Sequence, residues 1–391
     1  MGKSGLGRII ILMGTNIDLG AGTEKSAFFY SKLLPELGWD VTILMTDYLD
    51  HKRTTFSENL SNIRVFKIKS YGSRFNFLNR IPKIGNILFQ LVQYVTILYS
   101  SNIIRKEFTG HNRYDIVYAI YNPFSLYFEK GTLIVGSEHT LVAGNTDSLL
   151  GRFTLLYHKI TLRRIKYFHA FSLKSLQDKY LSKPVFIVPC GVDCAVFKPS
   201  SDTGYRPIRF LFYARLVPGK GFRTALEAWH LLQINGISNC EFHIAGEGEL
   251  SYLLNQSTER GSVVYHGSLD ELNLAELVRS CDVFVYPSVS DNFGLVIVEA
   301  LASGLHIITT DYFRGIFDEE EKMGFLEYIK RDPTLFKESM RRSIANVETI
   351  RKMKSLVAKY TSEKYDWNKV VGELSKQLIR ILNSNKNTNN F

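Results

Sequence analysis

Cysteine is scarce in this chain and follows no ligand or disulfide pattern. No C-x-x-C pair occurs in the 391 residues, and no nearby histidine completes a zinc site. These spacings argue against a cysteine-based metal centre and favour buried free thiols in a reducing cytosol. We therefore expect a cytoplasmic protein without a bound metal. The four cysteines are Cys190, Cys194, Cys240 and Cys281.

Long apolar runs are also nearly absent. The segment "RIIILMG" (8–14) is too short to span a bilayer and lacks a cleavage site, so it predicts a first core strand. Residues 84–104 carry no charge over a length that could span a membrane, yet Asn86, Gln90 and Gln93 form a polar stripe at helical spacing. This stripe favours an amphipathic or core helix over a membrane span.

A complete phosphate-binding fingerprint is missing as well. The segment "DLGAGTEKSAFF" (18–29) joins a strand to a helix through Gly20 and Gly22, but it lacks the third glycine of the dinucleotide-binding motif. By itself, this spacing is equally compatible with a phosphate cradle and with a plain tight turn.

Positive charge is what the chain has in excess, and it is unevenly placed. The net charge is +10; residues 1–200 hold 25 Lys/Arg and 14 Asp/Glu (+11), and residues 201–391 hold 23 and 24 (−1). Such an excess suits an anionic partner. Basic and aromatic residues interleave in 66–83 and 156–168, which favours adsorption to an anionic membrane surface, although soluble acceptors remain an alternative. No recognised nucleic-acid-binding module appears, so we expect no nucleic acid partner.

Apolar strands alternate with amphipathic helices in both halves of the chain, which is typical of doubly wound parallel sheets. The pattern stops at a polar, proline-bearing stretch, 198–207, and then restarts. We predict two Rossmann-like α/β domains that face a cleft, formed by residues 1–198 and 206–362. The predicted strands are 8–14, 40–45, 114–120, 131–139, 184–189, 208–215, 240–246, 262–267, 282–288 and 305–310.

Three cations cluster where a strand gives way to a helix. In "FYARLVPGKGFRTALEAW" (212–229), Arg215, Lys220 and Arg223 precede or open a helix that we predict to begin near Gly221. A cation at a helix amino terminus is unfavourable by about 0.3–1 kcal/mol, so the cluster indicates a bound anion, most naturally a phosphate. Solvated surface charge is an equal alternative.

A second such junction carries an acid inside an apolar helix. In "PSVSDNFGLVIVEALASG" (287–304), a helix that begins near Asn292 to Gly294 contains Glu299. Two structural explanations stay open: Asp291 or Asn292 caps the helix, and Glu299 lies with Ser303 on a solvated stripe. His139 ends a strand at the same edge, where its ring either contacts a ligand hydroxyl or is structural.

Taken together, these motifs resemble the retaining glycosyltransferases of family 4, which have the two-domain GT-B architecture. The stretch "YPSVSDNFGLVIVEALASG" resembles the family signature of two acids separated by seven residues, and "ARLVPGKGF" resembles its Arg and Lys diphosphate clamp. The stretch "FIVPCGVDCAVFKP" resembles the crossing between the domains, and "HIAGEGEL" the GxG strand end. The final helix, 365–383, is similar to the one that returns to the amino-terminal domain in this family.

The resemblance implies transfer of a hexose from a UDP- or GDP-sugar to a glycan or lipid-linked acceptor, without a cofactor. This activity would belong to cell-surface polysaccharide or glycolipid synthesis at the cytosolic face of the membrane. Glu299 would bind the ribose hydroxyls, with no partner until the donor is bound, and Asp291 would bind the transferred sugar. The other implied donor contacts are Arg215 and Lys220 at the diphosphate, the amides of Phe293, Gly294 and Leu295, Gly246 at the GxG strand end, Gly20 and Gly22 against the phosphates, and His139 at the sugar.

The sequence departs from the family pattern in three places. Asp291 is shorter than the usual glutamate, His306 stands where proline is usual, and the segment after Asp311 is reduced to "YFRGIFDEE". Two other functions therefore stay open: a nucleotide-sugar epimerase of GT-B shape, and a non-catalytic glycosyltransferase-like partner subunit.

Overall fold

The computed structural model of the chain contains two compact α/β units. Unit 1 comprises residues 1–171, 175–188 and 371–391, and unit 2 comprises residues 172–174 and 189–370. The residues that the structure describes are 5–19, 22–47, 56–60, 63–68, 106, 108, 114–120, 125, 128–138, 159–172, 174, 183–200, 206–234, 239–254 and 263–388.

Unit 1 is built on a seven-stranded parallel sheet in the order β3-β2-β1-β4-β5-β6-β7. Its central strand buries Ile9, Ile10 and Ile11 completely, as expected for a parallel strand covered on both faces. The winding direction reverses between β1 and β4. The strands are β1 Gly7–Leu12, β2 Trp39–Thr46, β3 Arg64–Ile68, β4 Ile116–Ala119, β5 Ile134–Ser137, β6 Tyr167–Ala170 and β7 Val185–Ile187.

Unit 2 is built on a six-stranded parallel sheet in the order β10-β9-β8-β11-β12-β13. Here the winding direction reverses between β8 and β11, which pair in register through Phe210 and Val283. Loops at the carboxyl ends of the strands beside such a reversal form the usual ligand site of this fold class. The strands are β8 Ile208–Tyr213, β9 Cys240–Ala245, β10 Val263–Tyr265, β11 Val283–Tyr286, β12 His306–Thr310 and β13 Leu326–Ile329.

The helices pack on these sheets through apolar faces. In the helix after β8, Phe222, Ala225 and Trp229 recur at intervals of three and four and are fully buried, because side chains at that spacing share one helix face. The described helices are α1 Gly22–Leu33, α2 Phe222–Ile234, α3 Glu271–Ser280, α4 Leu295–Ala302, α5 Asp318–Lys322, α6 Pro333–Ala345, α7 Val347–Tyr365 and α8 Trp367–Thr388, the last of which begins in unit 2 and continues in unit 1.

The doubly wound α/β fold predicted from the sequence is confirmed in both units, and each predicted strand overlaps an observed one. Three strands were missed: β3, β6 and β13. Charged or polar residues interrupt their apolar runs ("RVFKI", "YFHA", "LEYI"), and the edge strand β3 buries only Ile68. The predicted helix or span at 84–104 lies outside the described residues, as do 69–83 and 156–158 of the two basic and aromatic stretches.

Candidate functional site

Two loops meet at the carboxyl edge of the unit 2 sheet, where the winding direction reverses. The first follows β8 and holds Arg215 and Lys220, and the second follows β11 and holds Ser288 and Asp291. The backbone N–H of Val289 donates to the carbonyl of Gly219 over 3.0 Å, so the two loops are joined directly. Parallel pairing of β8 with β11 thus brings together residues that are about 70 positions apart in the chain.

Gly221 allows this close approach. Its backbone has φ = +81°, a conformation that favours glycine, and an added Cβ would lie 2.1 Å from the carbonyl oxygen of Pro287. The same turn carries Lys220 on the short 3-10 helix Pro218–Lys220. The backbone at Gly221 therefore sets where Lys220 stands relative to the second loop.

Asp291 is the most strongly bound acid of the site. Its Oδ1 accepts from Lys220 Nζ over 2.5 Å, and its Oδ2 accepts from Tyr286 Oη over 2.7 Å and from Ser288 Oγ over 2.8 Å. The alternative that Asp291 or Asn292 caps the following helix is wrong, because the N-cap is Gly294 (φ = +94°) and no side chain caps it. Asp291 is instead held against the end of β11.

Glu299 is buried, with 6% of its surface exposed, on the inner face of α4. Its Oε2 lies 3.1 Å from Tyr213 Oη, whose single proton also faces the carbonyl of Val296 over 2.7 Å. The solvated-stripe alternative is wrong, because Ser303 is fully buried as well. The expectation that Glu299 has a partner only when a donor is bound is also wrong, since Tyr213 donates to it within the protein itself.

The three predicted cations have different surroundings. Lys220 Nζ donates to Asp291 and to the carbonyl of Ser290 (2.8 Å), and Arg223 donates to Tyr252 Oη (3.1 Å). Arg215 is exposed and its guanidinium makes no hydrogen bond or ion pair within the described residues. At least one cation beside this edge is therefore available to an anion.

Two tyrosines that the sequence analysis missed complete the site. Burial raises the pKa of Tyr213 and of Tyr286 well above the usual value, and the carboxylates of Glu299 and Asp291, respectively, raise it further. Both hydroxyls therefore keep their protons and act as donors. Each tyrosine is the last residue of a buried strand, which is the one signal in the sequence that pointed to them.

The segment after Asp311, in which the sequence departs from the family pattern, packs against the second loop. Tyr312 Oη donates to the backbone carbonyl of Asp291 over 2.8 Å. The ring of Phe313 is fully buried, and a Cβ added at Gly294 would lie 2.8 Å from it. The aromatic residues thus occupy space behind Gly294 and hold the turn that precedes α4.

The other residues that were predicted to contact the donor lie in both units. The backbone N–H of Gly246, directly after β9, donates to the carbonyl of Gly267 over 2.7 Å. Phe293 is buried, and Leu295 opens α4. In unit 1, Gly22 opens α1, whose first turn carries the buried Glu24, an acceptor for Thr15 Oγ1 over 2.5 Å. Gly20 and His139 lie outside the described residues, so their donor contacts stay predictions.

A cavity of about 270 Å³ lies at the opposite, amino edge of the unit 2 sheet. Gly304 and His306, at the start of β12, line it together with Glu327, Arg342 and side chains of α7. None of the acids and cations described above lines this cavity. Their chemistry, and not the cavity volume, identifies the carboxyl edge as the candidate site.

None of the described helices is both long enough and apolar enough to cross a membrane. No group of three or more His, Cys, Asp or Glu side chains in the described ranges is arranged to hold a metal ion.

Comparison of the sequence with known proteins connects unit 2 with sugar transfer. Residues 197–359 match the family model described as "Glycosyl transferases group 1". An uncharacterized glycosyltransferase of Methanocaldococcus jannaschii, MJ1178, is 25% identical over 254 residues, which are 60% of this chain and 66% of that protein. The phosphatidyl-myo-inositol mannosyltransferase of Mycolicibacterium smegmatis is 32% identical over 141 residues, 34% of this chain and 36% of that protein. The chain thus matches between about a third and just under two thirds of the length of these relatives.

Solved structures resemble the chain over nearly its whole length. Sucrose-phosphate synthase from Thermosynechococcus elongatus has a TM-score of 0.69 at 17% identity and covers 95% of this chain and 99% of its own. Anabaena Alr3699/HepE, solved in complex with UDP and glucose, has a TM-score of 0.67 at 15% identity and covers 94% and 98%. The predicted GT-B fold is therefore confirmed. The family match and the named relatives support a transferase of the glycosyltransferase class, whereas membership of family 4 stays a prediction.

Proposed function

We propose that the chain transfers a sugar from a UDP- or GDP-sugar, bound at the carboxyl edge of unit 2, to a glycan or lipid-linked acceptor, with retention of anomeric configuration. The observation that carries the proposal is the pairing of Lys220 with Asp291 at the reversal of the sheet, beside the exposed Arg215, which has no partner among the described residues. Such a donor needs cations for its diphosphate and an acceptor for its hydroxyls, and both lie on the same two loops.

Arg215 and Lys220 would bind the diphosphate, where negative charge grows as the glycosidic bond breaks. Lys220 Nζ uses two of its three N–H donors on Ser290 and Asp291, so one remains for a phosphate oxygen. Within the described residues, no hydrogen bond occupies the guanidinium donors of Arg215. A donor that is held in place, as Lys220 is by Ser290 and Asp291, stabilises a leaving group without having to reorganise during the reaction.

Asp291 and Glu299 would recognise hydroxyl groups of the donor. Glu299, on α4, would accept from the ribose, and Asp291 from the transferred sugar. The first turn of α4 has no side-chain cap, so amides near Gly294 and Leu295 would be available to the sugar and diphosphate. Gly246 would line the same donor site.

The bonding of Asp291 supports retention without a covalent sugar intermediate on this residue. Three donors already hold its charge, which lowers its power as a nucleophile and suits it to accept a hydrogen bond. The acceptor would attack from the face that the diphosphate leaves, and a diphosphate oxygen would take its proton. Positioning would then supply much of the catalysis.

A lipid-linked or cell-surface acceptor is supported by the +11 charge of residues 1–200. A membrane surface that carries anionic lipid attracts basic residues by about 1 kcal/mol each. We expect the protein to float with anionic liposomes at low salt and to be released at high salt. Recovery in the soluble fraction with both anionic and neutral liposomes at low salt would argue for a soluble acceptor.

Nucleotide-dependent thermal stabilisation tests the donor site. We expect UDP or GDP, but not both equally, to raise the melting temperature, with about 2.7 kcal/mol of stabilisation at 100 times the dissociation constant. ADP and dTDP complete the panel. The shift should shrink in Glu299→Gln and persist in Glu320→Gln, a fully buried acid held instead by Lys364, Tyr360 and Tyr365. No shift with any of the four nucleotides would support the non-catalytic alternative.

A further inference from the structure

The structure assigns Tyr286 and Ser288 a positioning function: they hold the Asp291 carboxylate so that it accepts one further hydrogen bond, from a single hydroxyl of the transferred sugar. This inference rests on the proposed function and deepens it. Tyr286 and Ser288 would set the number of hydrogen bonds that Asp291 can accept from hydroxyls of the donor sugar.

The count follows from the acceptor capacity of the carboxylate. Two carboxylate oxygens offer about four lone-pair positions. Tyr286 and Ser288 occupy those of Oδ2, and Lys220 occupies one of Oδ1. One position therefore remains, on Oδ1, and it can take one hydroxyl but not a pair of neighbouring hydroxyls.

Competing acceptors do not remove the Ser288 hydrogen bond. Ser288 Oγ has one proton and faces three acceptors: Asp291 Oδ2 at 2.8 Å, the carbonyl of Gly219 at 3.3 Å and the hydroxyl oxygen of Tyr286. Only the carboxylate is charged, and hydrogen bonds to charged acceptors are shorter and stronger, so the Ser288 proton goes to Asp291. Tyr286 Oη donates its single proton to the carboxylate over 2.7 Å, and its oxygen also contacts the hydroxyl of Ser288.

Both residues are tied to the sheet, although Ser288 lies on the loop just after β11. Tyr286 is the last residue of β11, and its backbone carbonyl accepts from Thr309 Oγ1 over 2.7 Å. The carbonyl of Ser288 accepts from Thr310 Oγ1. Both threonines belong to β12, and all four residues are buried. Side chains fixed by the sheet cannot easily turn away to free a second lone pair when a ligand arrives.

The shorter side chain of Asp291 strengthens the restriction. An aspartate has one fewer rotatable bond than a glutamate, so its carboxylate has fewer positions open to it while it keeps the hydrogen bonds from Tyr286 and Ser288. The backbone carbonyl of Asp291 is held as well, by Tyr312 Oη over 2.8 Å. The carboxylate is thus fixed from the side-chain end and from the backbone end.

Equilibrium binding of deoxygenated donors tests the inference without an acceptor. Calorimetry would compare UDP, UDP-glucose and its 2-, 3-, 4- and 6-deoxy analogues, with GDP, GDP-mannose and the corresponding analogues as a second arm. We expect removal of one hydroxyl, and only one, to cost roughly 10- to 100-fold in an Asp291-dependent manner, as for a hydrogen bond to a charged group. That penalty should disappear in Asp291→Asn while the penalties at the other positions stay the same.

Tyr286→Phe separates positioning from general stability. Phenylalanine keeps the packing of the ring against Phe284 and frees one lone pair of Oδ2. We expect the penalty at the Asp291-dependent hydroxyl to fall at least threefold, or a second position to gain a penalty. Each penalty is the ratio of two dissociation constants measured with the same variant, so it does not depend on the fraction of the protein that is folded. The matched control is Tyr360→Phe, which removes a hydroxyl from Glu320, a carboxylate that keeps Lys364 and Tyr365 as donors; its ratios should match those of the unaltered protein.

Each contrary result has a distinct meaning. Two or more Asp291-dependent positions, none at all, or unchanged ratios in Tyr286→Phe would overturn the inference while nucleotide binding leaves the proposed function intact. If neither UDP nor GDP binds, the proposed function fails and the inference fails with it.

Discussion

Replacing Arg215 and Lys220 separately should show their effects on ligand binding and on stability apart, because, among the described residues, only Lys220 has hydrogen-bond partners within the protein. Arg215 is exposed and unpaired within the described residues, so Arg215→Ala should change the free energy of unfolding by no more than about 0.5 kcal/mol. If its guanidinium binds a diphosphate oxygen, its loss should weaken UDP or GDP binding by about 1.5–3 kcal/mol, or roughly 10- to 150-fold.

Lys220→Ala should affect both quantities. Its side chain is 14% exposed and holds both Ser290 and Asp291, whose side chain is 18% exposed. Breaking a buried ion pair typically costs about 3–5 kcal/mol, but Asp291 keeps Tyr286 and Ser288 as donors. We therefore expect a smaller loss of stability, about 1–3 kcal/mol, together with weaker nucleotide binding.

Urea unfolding and calorimetric titration with UDP and GDP measure the two quantities. Arg341→Ala is the control, since Arg341 is also an exposed arginine of unit 2 but pairs with Glu338 on α6. If Arg215→Ala lowers stability by more than 1 kcal/mol and leaves nucleotide binding unchanged, Arg215 is structural. The assignment of the diphosphate site to this edge would then be refuted.

Further predictions concern the buried charges and the backbone of unit 2. Asp282→Asn should lower the free energy of unfolding by about 3–5 kcal/mol in urea titrations, because Arg206, Arg351 and Lys354 would face an uncharged amide. Burial alone would raise the pKa of Asp282, but Lys354 and the two arginines outweigh it and lower the pKa from 3.8 to about 2. Its contribution of about 2 kcal/mol is therefore present above pH 4 and lost as the pH falls toward 2, which acid unfolding of the unaltered protein and of Asp282→Asn would measure. Gly221→Ala should destabilise by about 2–5 kcal/mol in thermal unfolding, because its Cβ would meet the Pro287 carbonyl at positive φ.

Matched controls keep these predictions specific. Asp270→Asn changes an exposed acid that caps α3; because asparagine caps a helix about as well as aspartate, its effect should stay below about 1 kcal/mol. If Asp282→Asn and Asp270→Asn lowered the free energy of unfolding equally, the proposed contribution of the buried charge network at Asp282 would be contradicted. Gly267→Ala has positive φ but no atom within 4 Å of the added Cβ, so it measures backbone strain alone. If Gly221→Ala lowers stability no more than Gly267→Ala does, the close contact with Pro287 is not what requires glycine at position 221.

Local sequence patterns were sufficient for most of the fold. Alternating apolar strands and helices predicted both sheets, since buried parallel strands read as continuous apolar runs. The strands that were missed, β3, β6 and β13, are those whose runs are interrupted by charged or polar residues. The start of α2 just after Gly221 was also predicted, because glycine at a strand-to-helix junction is a local signal.

The sequence by itself determined the fold class, the two strand-to-helix junctions of unit 2 and the residue types that stand there. It did not determine which side chains touch. The contacts of Lys220 with Asp291 and of Tyr213 with Glu299 depend on strands β8 and β11 lying side by side. Nor could the sequence decide whether Glu299 faces solvent or the core, because its neighbours at helical spacing suit both. Tertiary structure decided these points, since pairing and burial bring together groups that local periodicity cannot relate.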